Sequence, residues 1–115
     1  MSRRVHRLKI WPEHFRDVIS CRKTFEIRRS NRSYQCGDWL VLEEWDPETS
    51  VHEDRYTHYT GRCCVAAIQI IVGGFGQSVH GLPPDLCVIG IRVESTGRRM
   101  TDNEIGALYG EVVQA

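Results

Sequence analysis

Lys23, Thr24, Glu26 and Arg28 fall within one short stretch, Lys-Thr-Phe-Glu-Ile-Arg, and together offer an amine, a hydroxyl, a carboxylate and a guanidinium. Side chains of an extended chain alternate between faces, so Thr24, Glu26 and Arg28 share one face while Phe25 and Ile27 share the other. The polar face is expected to point outward. Lys9, Arg22, Arg29 and Arg32 add cations to the neighbourhood. Guanidinium forks suit bidentate contact with phosphate. A carboxylate among them serves as an ion-pair partner, as an acceptor for a base edge, or as a general acid–base. In a hydrolase, Lys23 would activate water or attack directly and Glu26 would carry the proton.

Aromatic rings supply a second requirement of a nucleic-acid site, a platform for an unstacked base. Tyr34, in the basic stretch after the strand, is the first candidate, and Trp45, which shares a strand face with Glu43, is the second. Trp11 and Trp39 match apolar faces and are expected in the core. Gly73-Gly74-Phe75-Gly76 is placed near the site, because glycines let a backbone approach a ligand and offer N–H groups to an anion. The run matches neither a Walker loop nor a dinucleotide fingerprint, and a flexible turn is its plainer reading.

No metal site and no cofactor are expected. The chain contains no C-x-x-C or H-E-x-x-H, and the adjacent Cys63 and Cys64 would project to opposite faces of a strand. Cys21, Cys63, Cys64 and Cys87 are read as small apolar packing residues. Cys36 lies in the basic loop with no histidine placed beside it by sequence.

The elements that position these groups follow from periodicity. Residues 5–10 alternate as a short strand. Pro12 opens a helix whose face is Trp11, Phe15, Val18 and Ile19, ending near Ser20–Arg22. Strands are expected at 24–29, 39–45, 62–72 and 86–94, the last with Cys87, Ile89, Ile91 and Val93 on one side. Gly90 inside it signals a bulge or a close backbone approach. Asp46-Pro47-Glu48-Thr49 reads as a turn, and residues 51–60 as a hairpin arm or a mobile tip. Thr101 and Glu104 have the spacing of a capping box on a short final helix. The expected class is α+β: a small, partly closed β-barrel of about five to six strands, plugged by the early helix.

At 115 residues and 13.3 kDa the chain is read as a single domain, 1–115, with a core at about 5–94 and an extension at 95–115. No apolar run has the length of a membrane span, and no secretory leader is read at the N-terminus, so a reduced cytoplasmic setting without membrane association is expected. Net charge is zero but unevenly spread. Residues 1–35 carry ten Lys/Arg against three Asp/Glu, whereas residues 36–60 carry one Arg against seven acids. Such a chain either presents two oppositely charged faces or cancels them across a sheet.

Several segments in order, Leu8–Phe15, Arg22–Arg29, Gly37–Thr49, Thr60-Gly61-Arg62, Gly73–Gly76 and Cys87–Val93, resemble a small bacterial and phage family related to the ASCH domain of the PUA-like superfamily. The resemblance covers about residues 6–94. It implies a PUA-like barrel with a cleft beside the first helix, RNA binding, or hydrolysis of a modified nucleoside. In the hydrolases a lysine matching Lys23 carries the chemistry; their threonine is replaced here by Glu26.

The leading expectation is a module for RNA or another single-stranded nucleic acid, using Lys9, Lys23, Thr24, Glu26, Arg28, Arg29, Tyr34 and Trp45. The alternatives are a hydrolase of a nucleoside, a nucleotide or RNA at Lys23 and Glu26, and a phage-type regulator that docks a protein through the acidic segment Glu43–Asp54.

Overall fold

The computed structural model describes residues 3–48 and 58–114. Along the chain run β1 (Arg4–Ile10), α1 (Pro12–Ile19), β2 (Phe25–Arg29), β3 (Trp39–Trp45), β4 (Tyr59–Gly73), β5 (Leu86–Arg98), α2 (Asp102–Leu108) and β6 (Glu111–Val112). The strands form one mixed sheet in the order β2-β5-β4-β3-β1-β6. β1 pairs in parallel with β3 and β6, and the remaining neighbours are antiparallel.

The α+β class stands, but the expected barrel does not close. β2 and β6 end the strand order as edges, and β6 is two residues long, too short to complete a cylinder. Where β2 approaches β1, the contact is a side chain: Arg28 Nη2 donates to the Lys9 carbonyl at 2.8 Å.

The sheet is covered on both faces. One face packs Leu8, Leu40, Leu42, Cys64, Ala66, Ile68, Cys87 and Ile89 under Phe15 and Val18 of α1. The other packs Val5, Val41, Cys63 and Val65 against Ile105 of α2, with Tyr109 and Val112 beside them. This double cover explains why β3 opens on an unbroken apolar run, residues 39–42. Cys63 and Cys64 do project to opposite faces.

Pro12 sits in the first turn of α1, as its fixed φ suits. Trp11 is not in the core, contrary to expectation. It precedes the helix with extended backbone angles (φ −69°, ψ 153°), which takes its ring off the helical stripe and leaves it 51% exposed. The helix ends in a Schellman turn: Arg22 N–H donates to Asp17 O at 3.0 Å and Cys21 N–H to Val18 O at 3.0 Å. Cys21 occupies the left-handed position (φ 63°) and is exposed, so it is not the packing residue expected.

β5 runs past the expected end at 94, and residues 99–112 are part of the fold rather than an appendage. Thr101 and Glu104 form the predicted capping box, and Ile105 is fully buried. Gly90 stands opposite a bulge rather than in one, and what approaches it is a side chain rather than backbone. The β4–β5 register shifts between Ile68 and Ile70, and a Cβ on Gly90 would stand 2.6 Å from Ile70 Cγ2. Of the segment 51–60, Tyr59 and Thr60 begin β4; residues 51–57 lie outside the described residues.

Candidate functional site

The polar face of β2 points inward, not outward. In the antiparallel pairing Glu26 stands opposite Ile89 and Arg28 opposite Cys87, both fully buried. Directly opposed residues share a face, so Glu26 and Arg28 continue the core side of the sheet. Glu26 is 3% exposed, whereas Phe25 and Ile27 are 41% and 51% exposed. Ion pairing admits this inversion, because a buried carboxylate is tolerated when cations satisfy it. Lys23 Nζ lies 3.2 Å from Glu26 Oε1, and Arg28 Nη2 lies 2.8 Å from Glu26 Oε2. Local structure supplies both partners. Asp17 O also accepts from Lys23 N–H, so the turn after α1 folds Lys23 back toward the strand. Arg28 follows Glu26 by the two-residue strand repeat.

This cluster lines a cavity of about 450 Å³ between α1, the end of β1 and β2. Trp11 and His14 from the start of α1 complete its wall opposite Lys23, Glu26 and Arg28. Charge at the polar wall is partly neutralised, with two cations against one carboxylate. An amine beside a carboxylate can shuttle a proton, and a guanidinium with an indole can hold a planar polar ligand. A second cavity, of about 380 Å³, adjoins it and shares Ile27 and Arg28; Arg29, Asn31, Arg32 and Tyr34 also line it.

The remaining predicted site residues are distributed differently. Lys9 borders the first cavity and lends its carbonyl to Arg28, but its amine sits 4.8 Å from the Trp45 ring centroid. The alternation of β1, with Leu8 and Ile10 in the α1-side core, puts the Lys9 side chain on the opposite face. Trp45 is half-buried there, edge-on to His58, and does not line the cavity. Thr24 is exposed and outside the cavity lining. Arg29 is exposed and paired with Asp85 at 3.1 Å.

Tyr34 is not an exposed platform. It is 6% exposed, packed in the core with its ring 4.8 Å from His6, and burial pushes its phenol above the ordinary value. His6 is fully buried, with Nε2 2.8 Å from Asp38 Oδ2, and burial lowers its pKa despite that carboxylate. Gly73 closes β4, and Gly74, Phe75 and Gly76 all have positive φ. Two of their N–H groups are not left free for an anion. Phe75 N–H donates to Ser30 Oγ at 2.9 Å and Gly76 N–H to Pro84 O at 3.1 Å. A Cβ on Gly74 would meet Ser30 Cβ and Cys87 Cβ at 2.9 Å, so glycine is required for the loop to dock on the end of β2.

Two carboxylates of the acidic segment, Glu43 and Glu44, are spent inside the molecule. Glu43 is buried between Arg7 and Arg99, with Arg99 Nε at 2.7 Å. Glu44 accepts from Arg62 at 2.8 and 2.9 Å and from Thr60 at 2.6 Å. Burial opposes its charge, yet these bonds prevail and hold its carboxyl below the usual value. Of the other acids, Glu48 is exposed, and Glu53 and Asp54 lie outside the described residues. Of these pairs, Arg7–Glu43 joins the basic first segment to the acidic one, whereas Arg62 and Arg99 come from later in the chain. Of the cations in the first 35 residues, Lys23 and Arg28 converge on the first cavity.

Sequence reading missed Trp11 and His14 as site residues. The signal was their position on the first helical turn after β1, where both face the gap beside β2.

A family model described as a domain of unknown function, DUF3850, matches residues 5–91. The chain belongs to the DUF3850 family. The DUF3850 match contains all of β1 but Arg4, with α1 and β2, and with them the residues lining both cavities. An uncharacterised 12.9 kDa protein from the GpA 3′ region of Escherichia phage P2 is 36% identical over 45 residues, 39% of this chain and 41% of the phage protein. The aligned part thus spans less than half the length of that relative. No helix among the described residues is long and apolar enough to cross a membrane.

Proposed function

We propose that this chain is a PUA-like, ASCH-related module that binds single-stranded nucleic acid, RNA foremost, by taking one unstacked base into the cavity beside α1. One observation carries the reading: a buried carboxylate clamped by Lys23 and Arg28 faces a solvent-open cavity edged by the exposed Trp11 ring. The indole supplies the stacking surface that Tyr34 and Trp45 do not. Glu26 and Arg28 offer an acceptor and donors to a base edge, and Lys23 and Arg28 attract the polyanion. A volume of about 450 Å³ suits a nucleoside-sized group. A duplex keeps its bases stacked, so single strands are preferred.

Titration of labelled single-stranded RNA and DNA oligomers at increasing salt tests the reading. Affinity should fall linearly on logarithmic axes with a slope set by the phosphates engaged. Absence of binding at low salt removes the proposal.

A second reading has its own observation, the 3.2 Å contact between Lys23 Nζ and Glu26 Oε1 at the cavity wall. There an amine and a carboxylate stand ready to move a proton in hydrolysis of a modified nucleoside. A screen of acylated nucleosides with wild type and Lys23→Ala decides it: equal turnover in both excludes catalysis at Lys23.

A further inference from the structure

We propose that the second cavity is a phosphate subsite built by Arg28, Asn31 and Arg32, so that the ligand seated in the first cavity is a phosphorylated nucleotide unit rather than a free nucleoside. The inference deepens the base-binding reading, but its own evidence is separate. This cavity's lining includes three arginines and no carboxylate residue. Arg32 is half-buried at its wall, and among the described residues no carboxylate pairs with it. Its charge instead reaches two buried groups that give it no compensation, His6 and Tyr34. A partly desolvated guanidinium without a counter-ion is unfavourable until an anion arrives.

Arg28 joins the two cavities. Its Nε and Nη2 are committed to Glu26 and to the Lys9 carbonyl, while Nη1 has no partner among the described residues. A phosphate oxygen between Arg28 and Arg32 would thus lie beside the base site, within the reach of a single nucleotide. Arg29, already held by Asp85, contributes field rather than contact.

The loop bearing Asn31 and Arg32 is fixed at both ends. Ser30 N–H donates to Asp85 O at 2.8 Å, and Ser30 Oγ accepts from Phe75 N–H. At the other end Asp38 accepts from Arg4 N–H and Gln35 N–H and binds His6. The glycine-rich run therefore serves the site indirectly, by anchoring Ser30 so that its neighbours are held in place. The shared ligand chemistry is a phosphoryl group, either the terminal monoester of a mononucleotide or a diester within a strand.

The test uses the full chain, with amide NMR shifts and calorimetry. Inorganic phosphate should shift the amides of residues 31–33, and Arg32→Gln should weaken that binding about tenfold, the loss expected for one charge-assisted contact. Trp11→Ala should leave phosphate binding unchanged, and Arg32→Lys should restore part of it. A nucleoside monophosphate should bind about tenfold more tightly than its nucleoside, and only in the presence of Arg32. A trinucleotide that binds more tightly still identifies the diester; one that binds no better identifies the terminal monoester. No phosphate-induced shift in wild type, or equal phosphate affinity in Arg32→Gln, overturns the subsite. Nucleoside binding that persists in Arg32→Gln then keeps the base cavity, so the two ideas fail separately.

Discussion

Arg28 Nε and Nη2 reach the same oxygen of Glu26, Oε2, at 3.0 and 2.8 Å, across a single strand repeat. Lys23 takes the other oxygen at 3.2 Å, so each oxygen of the carboxylate has a cation partner that is itself mostly shielded from water and keeps acceptor capacity to spare. The carboxylate fixes the cations, and the cations permit its burial. Anything that binds in the cavity meets a wall whose charges are already set in position.

Glu26→Gln keeps the shape and removes the charge. It leaves Lys23 and Arg28 facing one another without compensation, and the fold should lose about 2–4 kcal/mol. Urea unfolding measures this, and a variant within about 0.5 kcal/mol of wild type would show that the clamp contributes nothing to stability.

Trp11→Ala should behave in the opposite way. The ring is half-exposed, so stability should change by less than about 1 kcal/mol. Affinity for a single-stranded oligomer should fall by the worth of one base stack, about 1–3 kcal/mol. Fluorescence anisotropy with a labelled oligomer reads the second quantity; unchanged affinity would move the stacking surface elsewhere.

Ile105→Ala examines the C-terminal segment. The side chain is fully buried against Val5, Val41, Cys63 and Val65. Truncation should cost about 2–4 kcal/mol and lower the urea midpoint accordingly. A surface appendage would give almost no change.

Acid should weaken the fold in two steps. His6 Nδ1 is buried without a partner, and the folded pKa lies below the ordinary 6.5. The unfolded chain therefore binds a proton that the fold resists. Stability is full above about pH 6.5 and declines as pH falls toward the lower folded value. Glu44, held below its ordinary 4.5 by Arg62 and Thr60, adds stability above that value that is lost as pH falls through its folded pKa. Urea midpoints across this range check the sign, and an NMR titration should find the His6 imidazole charging only below its ordinary 6.5.

Cys21→Gly should stabilise. Cys21 holds a left-handed conformation (φ 63°) at the end of α1, which glycine adopts freely. The gain should be roughly 1 kcal/mol, read as a higher thermal midpoint.

The sequence by itself determined most of the elements, because their signals lie between near neighbours; β6 and the last residues of β5 were not among them. Pro12 marks the start of α1, Thr101 and Glu104 cap α2, the alternation at 25–29 makes a strand, and Gly90 flags the irregular β4–β5 pairing opposite it. It also placed Lys23, Glu26 and Arg28 together, since a strand repeat guarantees that Glu26 and Arg28 share a face. Only the tertiary structure decided which way that face points. Alternation is symmetric: it separates Glu26 from Ile27 but does not say which is buried, and polarity misleads when a carboxylate brings its own counter-ions. The same holds for Trp11 and Tyr34. Whether a ring meets solvent depends on what packs over it from distant segments, and His6 covers Tyr34 while Trp11 stands clear of the helical stripe. The open sheet was likewise beyond local reading, because closure depends on the length and partner of the last strand, a parallel pairing of Glu111 and Val112 with Arg4 and Val5 across more than a hundred residues of sequence.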